Sequence, residues 1–399
     1  MDYLEQKAAN RAANYQEINT GATYLKTRPL FFWFDLNGSC NLECKHCGYN
    51  VFGRTSEQEV SDGVYETILS ELMPTAYVCN LGGTNWGEMT TAATFHRFVK
   101  DCKKYQVGIN LTTNGTRMSD EWFDDLLDTL TVIGFSMEGI EEEFEKIRGF
   151  KWRFFLKHVE KICQGKADRG KNFRVEWRFC AHSDNIHQLP DMIRLAKSVG
   201  VDRIQIMNLT PYVPTQKYKM LYYHRNAANK YFAEARLVAR ELGIIVNIPD
   251  DFSTGTFETN LIQVGLPGKP APAPEPGLEM VNCYHPWQTC SINELGQVKP
   301  CCIYWRSMGS IAGGSFDSVW NGRKFRKLRA SVNVAKPDSI CYSCRLPKFD
   351  NEENTSFSQL TPSIRQMARN LLATRRRPKI VYSGVMAEEY DPRGTAGSA

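Results

Sequence analysis

From residue 30 onward, short runs of apolar, β-branched and aromatic residues alternate with longer stretches whose apolar positions recur every three or four residues. The short runs predict strands and the amphipathic stretches predict helices, an order that belongs to repeated βα units around a parallel sheet. Strand candidates are 31–36, 75–81, 107–113, 131–137, 173–180 and 203–208, and helices are expected at 63–72, 94–105, 154–163, 189–199 and 226–242. Six such units make a partial (β/α)6 barrel of the TIM type, an α/β fold that carries its functional loops at the C-terminal ends of the strands.

The flanks change character. Residues 1–28 read as a polar helix and lead-in packing on the barrel surface. Residues 254–281 include Gly-Leu-Pro-Gly-Lys-Pro-Ala-Pro-Ala-Pro-Glu-Pro, which cannot sustain a helix or central strand and reads as a linker, a proline-rich partner motif being the alternative. Beyond it, 289–301 reads as a hairpin turning at Gly296, 316–330 as a helix bearing Trp320, and 362–373 as a last helix before the basic run Arg375-Arg376-Arg377-Pro378-Lys379. The expected organisation is a lead-in (1–28), a barrel (29–253), a linker (254–281), a small α+β domain (282–347) and a helix with a basic tail (348–399).

Within the fifth strand, alternation places Arg174, Glu176, Arg178 and Cys180 on one face and Val175, Trp177 and Phe179 on the other. If helices cover the barrel, the apolar set meets them and the polar set lines the lumen; if the strand is poorly covered, the charges are merely solvated. Glu176, Arg178 and Cys180 are therefore candidate catalytic residues.

Composition narrows the classes. A chain of 399 residues, 42% hydrophobic, can bury a full core. It has no apolar run of about 18 residues, and its charged N-terminus lacks a secretory pattern, so we read it as a soluble, cytoplasmic protein without a membrane partner. A net charge of +5 falls short of a nucleic-acid footprint. Thirteen cysteines, an odd number without an export signal, point to metal ligation instead of disulfides.

Three of these thiols stand together in Cys40-Asn-Leu-Glu-Cys44-Lys-His-Cys47, the loop after the first strand. On one reading they hold three irons of a [4Fe-4S] cubane and leave the fourth iron open; on the other, His46 completes a structural zinc site. A second set follows the linker: Cys283, Cys290, Cys301, Cys302, Cys341 and Cys344. The second strand ends in Leu81-Gly82-Gly83-Thr84-Asn85-Trp86-Gly87-Glu88, a turn that lets backbone approach a ligand closely.

The run CNLECKHC resembles the signature of the radical S-adenosylmethionine (SAM) superfamily, in which the cofactor's amino and carboxylate groups occupy the open iron. Gly87-Glu88, followed by Thr112-Thr113-Asn114-Gly115, is similar to that family's Gly-Gly-Glu region, with Trp86 replacing the first glycine. Ser136-Met137-Glu138-Gly139 with Ile147-Arg148-Gly149 resembles its Ser-x-Asp-Gly and Ile-Arg-Gly pair, Glu138 standing for the aspartate. The resemblance implies that Gly87, Glu88, Asn114, Ser136, Arg148 and Leu209 contact the cofactor: Glu88 its ammonium, Ser136 and Arg148 its carboxylate, Leu209 its adenine through backbone. An ion pair with Glu141-Glu142-Glu143 is the alternative for Arg148.

The C-terminal cysteines resemble the shortened auxiliary-cluster domain called Twitch, related to the SPASM group. That implies Cys283, Cys301, Cys341 and Cys344 as ligands of a second, closed [4Fe-4S] cluster, with zinc on the same thiols as the alternative. Cys290 and Cys302 are then packing residues, although Cys302 can exchange with Cys301. The activity implied is reductive cleavage of SAM to a 5'-deoxyadenosyl radical that abstracts hydrogen from a substrate C–H bond, driven by an external one-electron donor such as flavodoxin or ferredoxin. The leading expectation is dehydrogenation of a small polar metabolite, a sugar or aminocyclitol. The alternatives are epimerisation of such a metabolite, with Cys180 returning hydrogen, modification of a peptide, and, in another class, a non-catalytic zinc-stabilised binding protein.

Overall fold

The computed structural model describes residues 3–48, 58–82, 87–209, 211, 214–252, 282–334 and 337–345. The linker, the helix expected at 362–373, the basic run at 375–379 and part of the Gly-rich turn lie outside these residues. All the strands among the described residues join one sheet. In chain order they are β1 (Phe31–Phe34), β2 (Val78–Leu81), β3 (Gly108–Thr113), β4 (Leu130–Met137), β5 (Arg174–Ala181), β6 (Arg203–Asn208), β7 (Ile245–Asn247), β8 (Thr289–Ile292), β9 (Gln297–Lys299) and β10 (Gly309–Ser310). Their spatial order is β10-β9-β8-β1-β2-β3-β4-β5-β6-β7.

The six predicted strands form in the predicted order and pair in parallel. Two features depart from the sequence reading. A seventh parallel strand, β7, follows the helix Arg225–Leu242 and pairs with β6. The hairpin 289–301 makes no sheet of its own, because β8 pairs in parallel with β1, and β9 then pairs antiparallel with both β8 and β10. The C-terminal thiols thus hang from the same sheet as the first cysteine loop.

Register separates the two faces. Phe32, Phe34, Cys79, Leu81, Ile109, Leu111, Ile133, Phe135, Val175, Trp177, Phe179, Ile204 and Ile206 point to the helical layer and form a continuous core. Val175, Trp177 and Phe179 are fully covered there, so strand five is not a poorly covered strand. Its polar positions occupy the opposite, lumenal face beside Asn110, Thr112, Gly134 and Ser136. Burying each large side chain of the covered face contributes about 1.5–3 kcal/mol, which sets the register firmly, since a one-residue slip would exchange the two faces.

The helix expected at 316–330 is two helices, Phe316–Trp320 and Arg323–Ser331. Asn321 interrupts it by exchanging side-chain hydrogen bonds with both backbone groups of Leu25, and at Gly322 a Cβ would stand 2.7 Å from the Ser318 carbonyl oxygen. The N-terminal helix Tyr3–Asn19 is more than a surface lead-in: its Lys7 and Asn14 are fully buried. Asn14 Nδ2 donates to the Trp287 carbonyl at 2.8 Å, Trp287 Nε1 to Ala22 O at 2.7 Å, and Trp320 Nε1 to Thr27 O at 3.0 Å. Residues 3–28 therefore bind the C-terminal region to the barrel. Among the described residues no helix is long and apolar enough to cross a membrane.

Candidate active site

The loop after β1 holds Cys40, Cys44 and Cys47 over the C-terminal edge of the parallel strands. Cys47 N donates to Cys44 O at 3.1 Å, turning the chain so that the three sulfurs face one another electrostatically. Burial pushes the Cys44 thiol up to about 12, so ligation must supply its deprotonation. A cation stands ready in Arg148, which favours the thiolates of Cys44 and Cys40. Asn114 Nδ2 reaches Cys40 Sγ at 3.7 Å and Asn41 Oδ1 at 2.9 Å, tying the loop to the end of β3. A short run of thiols backed by a guanidinium and an amide donor suits an anionic iron–sulfur group.

Glu88 is locked beside it. Its carboxylate accepts from Thr90 Oγ1 and Thr113 Oγ1, both at 2.7 Å, and from Asn114 N at 2.6 Å, and it is buried. The preceding Gly87 is required by close approach, since a Cβ there would stand 2.6 Å from Asn37 O. Glu88 N donates to Ser39 O at 2.8 Å, so the two loops clamp each other.

Arg148 does not pair with the run Glu141–Glu143. Its Nη2 donates to Glu138 Oε1 at 3.0 Å and its Nε donates to Glu138 Oε2. Burial alone would raise the Glu138 carboxyl, yet Arg148 and His46 hold it down at about 2. His46 Nε2 lies 3.5 Å from Glu138 Oε1. The longer glutamate, where the family pattern has aspartate, thus joins the cysteine loop to the Ile-Arg-Gly helix. Ser136 is partly exposed on the lumenal face, and Leu209 spends its N–H on Ala181 O at 3.1 Å.

Two residues escaped the sequence reading. Asn185, fully buried, donates to Glu138 O and Cys180 O and accepts from His182 N, fastening the ends of β4 and β5 together. His182 is buried, and its ring is held neutral by burial, with its pKa near 4. Its parity with Cys180, Arg178 and Glu176 was the available signal. Cys180 itself sits close enough to Glu138, Arg148 and Cys47 to feel their charges, and burial pushes its thiol well up.

Deeper in the lumen, Glu176 receives Arg174 Nε at 2.8 Å, with Arg178 Nη2 at 3.5 Å and Arg203 Nη1 at 3.7 Å. Arg178 also donates to Thr112 Oγ1 and to Asn110 Oδ1, the latter at 3.2 Å. Glu176 and Arg178 therefore belong to one network, while Cys180 lies above them at the cysteine-loop edge.

In the C-terminal region, Cys283 is fixed by Asn333, whose Oδ1 accepts from Cys283 N at 2.8 Å and whose Nδ2 donates to Cys283 O at 3.0 Å. Cys301 interacts electrostatically with Cys283 and Cys302, Cys302 with Cys344, and Tyr304 with Cys341. These links are pairwise, Cys341 entering through Tyr304, and thiols are the donor type an iron–sulfur group takes. Cys290 is a packing residue on the covered face of β8, but Cys302 is exposed and is not one; it sits among the ligand candidates.

Residues 36–175 match the family model of the radical SAM superfamily, and residues 283–345 match the SPASM iron–sulfur cluster-binding domain. The chain is 33% identical over 327 residues to the mycofactocin maturase MftC of Mycobacterium tuberculosis, covering 79% of this chain and 75% of that one. The chain belongs to the radical SAM superfamily. It is 24% identical over 348 residues to the PqqA peptide cyclase of Bradyrhizobium diazoefficiens, covering 81% of this chain and 80% of the relative. Its fold matches the structure of native anSMEcpe with bound AdoMet and Cp18Cys peptide, with a TM-score of 0.53 and 19% identity over 86% of this chain and all (100%) of that one. This radical SAM enzyme therefore takes a SAM-binding [4Fe-4S] cluster, SAM and an auxiliary cluster in its SPASM domain, and the zinc alternatives fall away.

Proposed function

We propose that this radical SAM enzyme modifies a peptide at an unactivated C–H bond. The observation that carries the reading is the extended similarity to a peptide cyclase, which spans 81% of the chain. The sugar or aminocyclitol reading rested on a polar lumen and a second cluster, and both serve a peptide equally well. When bound, the first cluster and SAM supply one-electron cleavage chemistry that generates a hydrogen-abstracting radical.

The chain's own residues position and insulate that chemistry. Cys40, Cys44 and Cys47 would hold the first cluster, with Asn114 donating toward Cys40. Gly87 and Glu88 would meet the cofactor's ammonium group, and Ser136 and Arg148 would serve its carboxylate. Because Glu138 already occupies the fork of Arg148, this arginine acts as a charge held in place more than as a free clamp. Cys283, Cys301, Cys341 and Cys344 would hold the auxiliary cluster, an electron acceptor suited to an oxidative outcome.

The test is anaerobic turnover of the reconstituted enzyme with reductant, SAM and synthetic peptides encoded by short reading frames beside its gene. Peptide-dependent 5'-deoxyadenosine with a matching loss of two hydrogens from the peptide supports the reading. Turnover of sugars or aminocyclitols, with every peptide inert, overturns it.

A further inference from the structure

Among the described residues, the lumenal face of β2 to β6 presents Arg174, Arg178 and Arg203 around the carboxylate of Glu176. Arg174 is spent on Glu176 at 2.8 Å, whereas Arg178 and Arg203 stand back at 3.5 and 3.7 Å. Glu176 is nearly completely buried, with 4% of its side chain exposed, and Arg178 keeps 15%. Guanidiniums withdrawn from water in excess of their counter-charges are costly, and the cost is recovered when an anion arrives.

The placement of Arg178 is built in. Its partner on β4 is Ser136, and the arginine side chain runs back over Gly134, the partner of Glu176, where a Cβ would overlap Arg178 Nε and Cζ. The guanidinium therefore lies flat across β4 and reaches Thr112 and Asn110 on β3. Asn110 is itself oriented by donating to Asn80 Oδ1 at 2.8 Å, so four strands cooperate in fixing one cation. Among the described residues, the Nε groups of Arg178 and Arg203 have no hydrogen-bond acceptor. Burial disfavours the charged form of Arg178, and Arg174 and Arg203 add to that pressure against the single help of Glu176.

We propose that the lumen floor is a carboxylate-binding subsite, in which Arg178, backed by Arg203, takes an acidic group of the substrate and so sets which C–H bond faces the cofactor edge. The inference rests on the peptide reading for the identity of the carboxylate's carrier. A planar fork of donors suits a carboxylate, and Glu176 serves as a positioning residue that keeps the arginines apart and aimed.

The experiment is calorimetric titration of the reconstituted, SAM-loaded enzyme with N-acetylglutamate amide (a side-chain carboxylate), N-acetylglycine (a terminal carboxylate), N-acetylglutamine amide (neutral) and glutarate (no peptide bond). At least one acid is expected to bind about ten-fold or more tightly than the neutral amide, and Arg178→Gln to erase the difference. Gly134→Ala should do the same by displacing the guanidinium. The acid that wins identifies a side chain or a chain terminus as the source. Equal binding of acids and amide by the unaltered enzyme overturns the subsite without any variant, as does undiminished acid binding by Arg178→Gln. Glutarate binding as tightly as the capped acids would keep the subsite while removing the peptide reading; peptide turnover without acid preference would do the reverse.

Discussion

At the residue scale, the chemistry depends on charges held away from water. Glu138 and Arg148 are both buried, and each is tolerable only because of the other. Glu138→Gln should therefore destabilise the fold by about 3–5 kcal/mol, leaving an uncompensated guanidinium beside the cysteine loop, whereas Glu138→Asp keeps the charge and loses less. Thermal melts of both variants check this ordering. The thiols separate in the same way: Cys40→Ala should lower iron by about four per chain and stop 5'-deoxyadenosine formation. Cys283→Ala should remove a similar amount of iron from the other region. Equal iron in Cys40→Ala and the unaltered enzyme would sink the assignment of that loop.

At the element scale, the parallel strands are organised by covered apolar faces, but their attachment to the C-terminal region is polar. Arg329, 3% exposed, donates to the carbonyls of Pro286, Thr23 and Trp320, at 2.8–2.9 Å. It joins the N-terminal segment, the chain before β8 and the end of the first C-terminal helix. Burial lowers its pKa to about 9, a measure of what its position costs. Arg329→Met should leave three carbonyls without this donor and cost about 3 kcal/mol or more, with faster amide exchange at residues 285–292 as its local signature.

At the scale of the whole molecule, the N-terminal helix adds a pH dependence. Lys7 is fully buried, donates to Gln106 O at 2.7 Å between the helix Phe95–Lys104 and β3, and burial lowers its pKa to about 7. Between pH about 7 and about 10 the unfolded chain binds this proton and the folded chain does not, so folding stability rises with pH across that window. Below pH about 7 both states are protonated and the penalty is fully present. Lys7→Met should therefore raise melting temperature most near neutrality and make its slope with pH less positive between about 7 and about 10. An unchanged slope in Lys7→Met would assign it to other groups.

The sequence by itself determined the parallel order β1 to β6, because each strand is a short apolar run between amphipathic stretches and each crossover needs a helix. It also made the two cysteine groups, Gly87-Glu88 and the lumenal parity of Glu176, Arg178 and Cys180 legible, since spacing and alternation are local properties. Only the tertiary structure placed β8 against β1, broke the helix at Asn321 and drew Lys7 and Asn14 into the interior. Those outcomes depend on hydrogen bonds between residues far apart in the chain, such as Asn14 with Trp287, which leave no periodic trace. The same holds for Arg148. Its neighbours in sequence, Glu141 to Glu143, start its helix and face elsewhere, and the buried Glu138 ten residues away accepts it, because a buried carboxylate and guanidinium gain most from each other where water cannot compete. For Arg178, alternation supplied the face, and the glycine at 134 on the next strand supplied the room to lie across it.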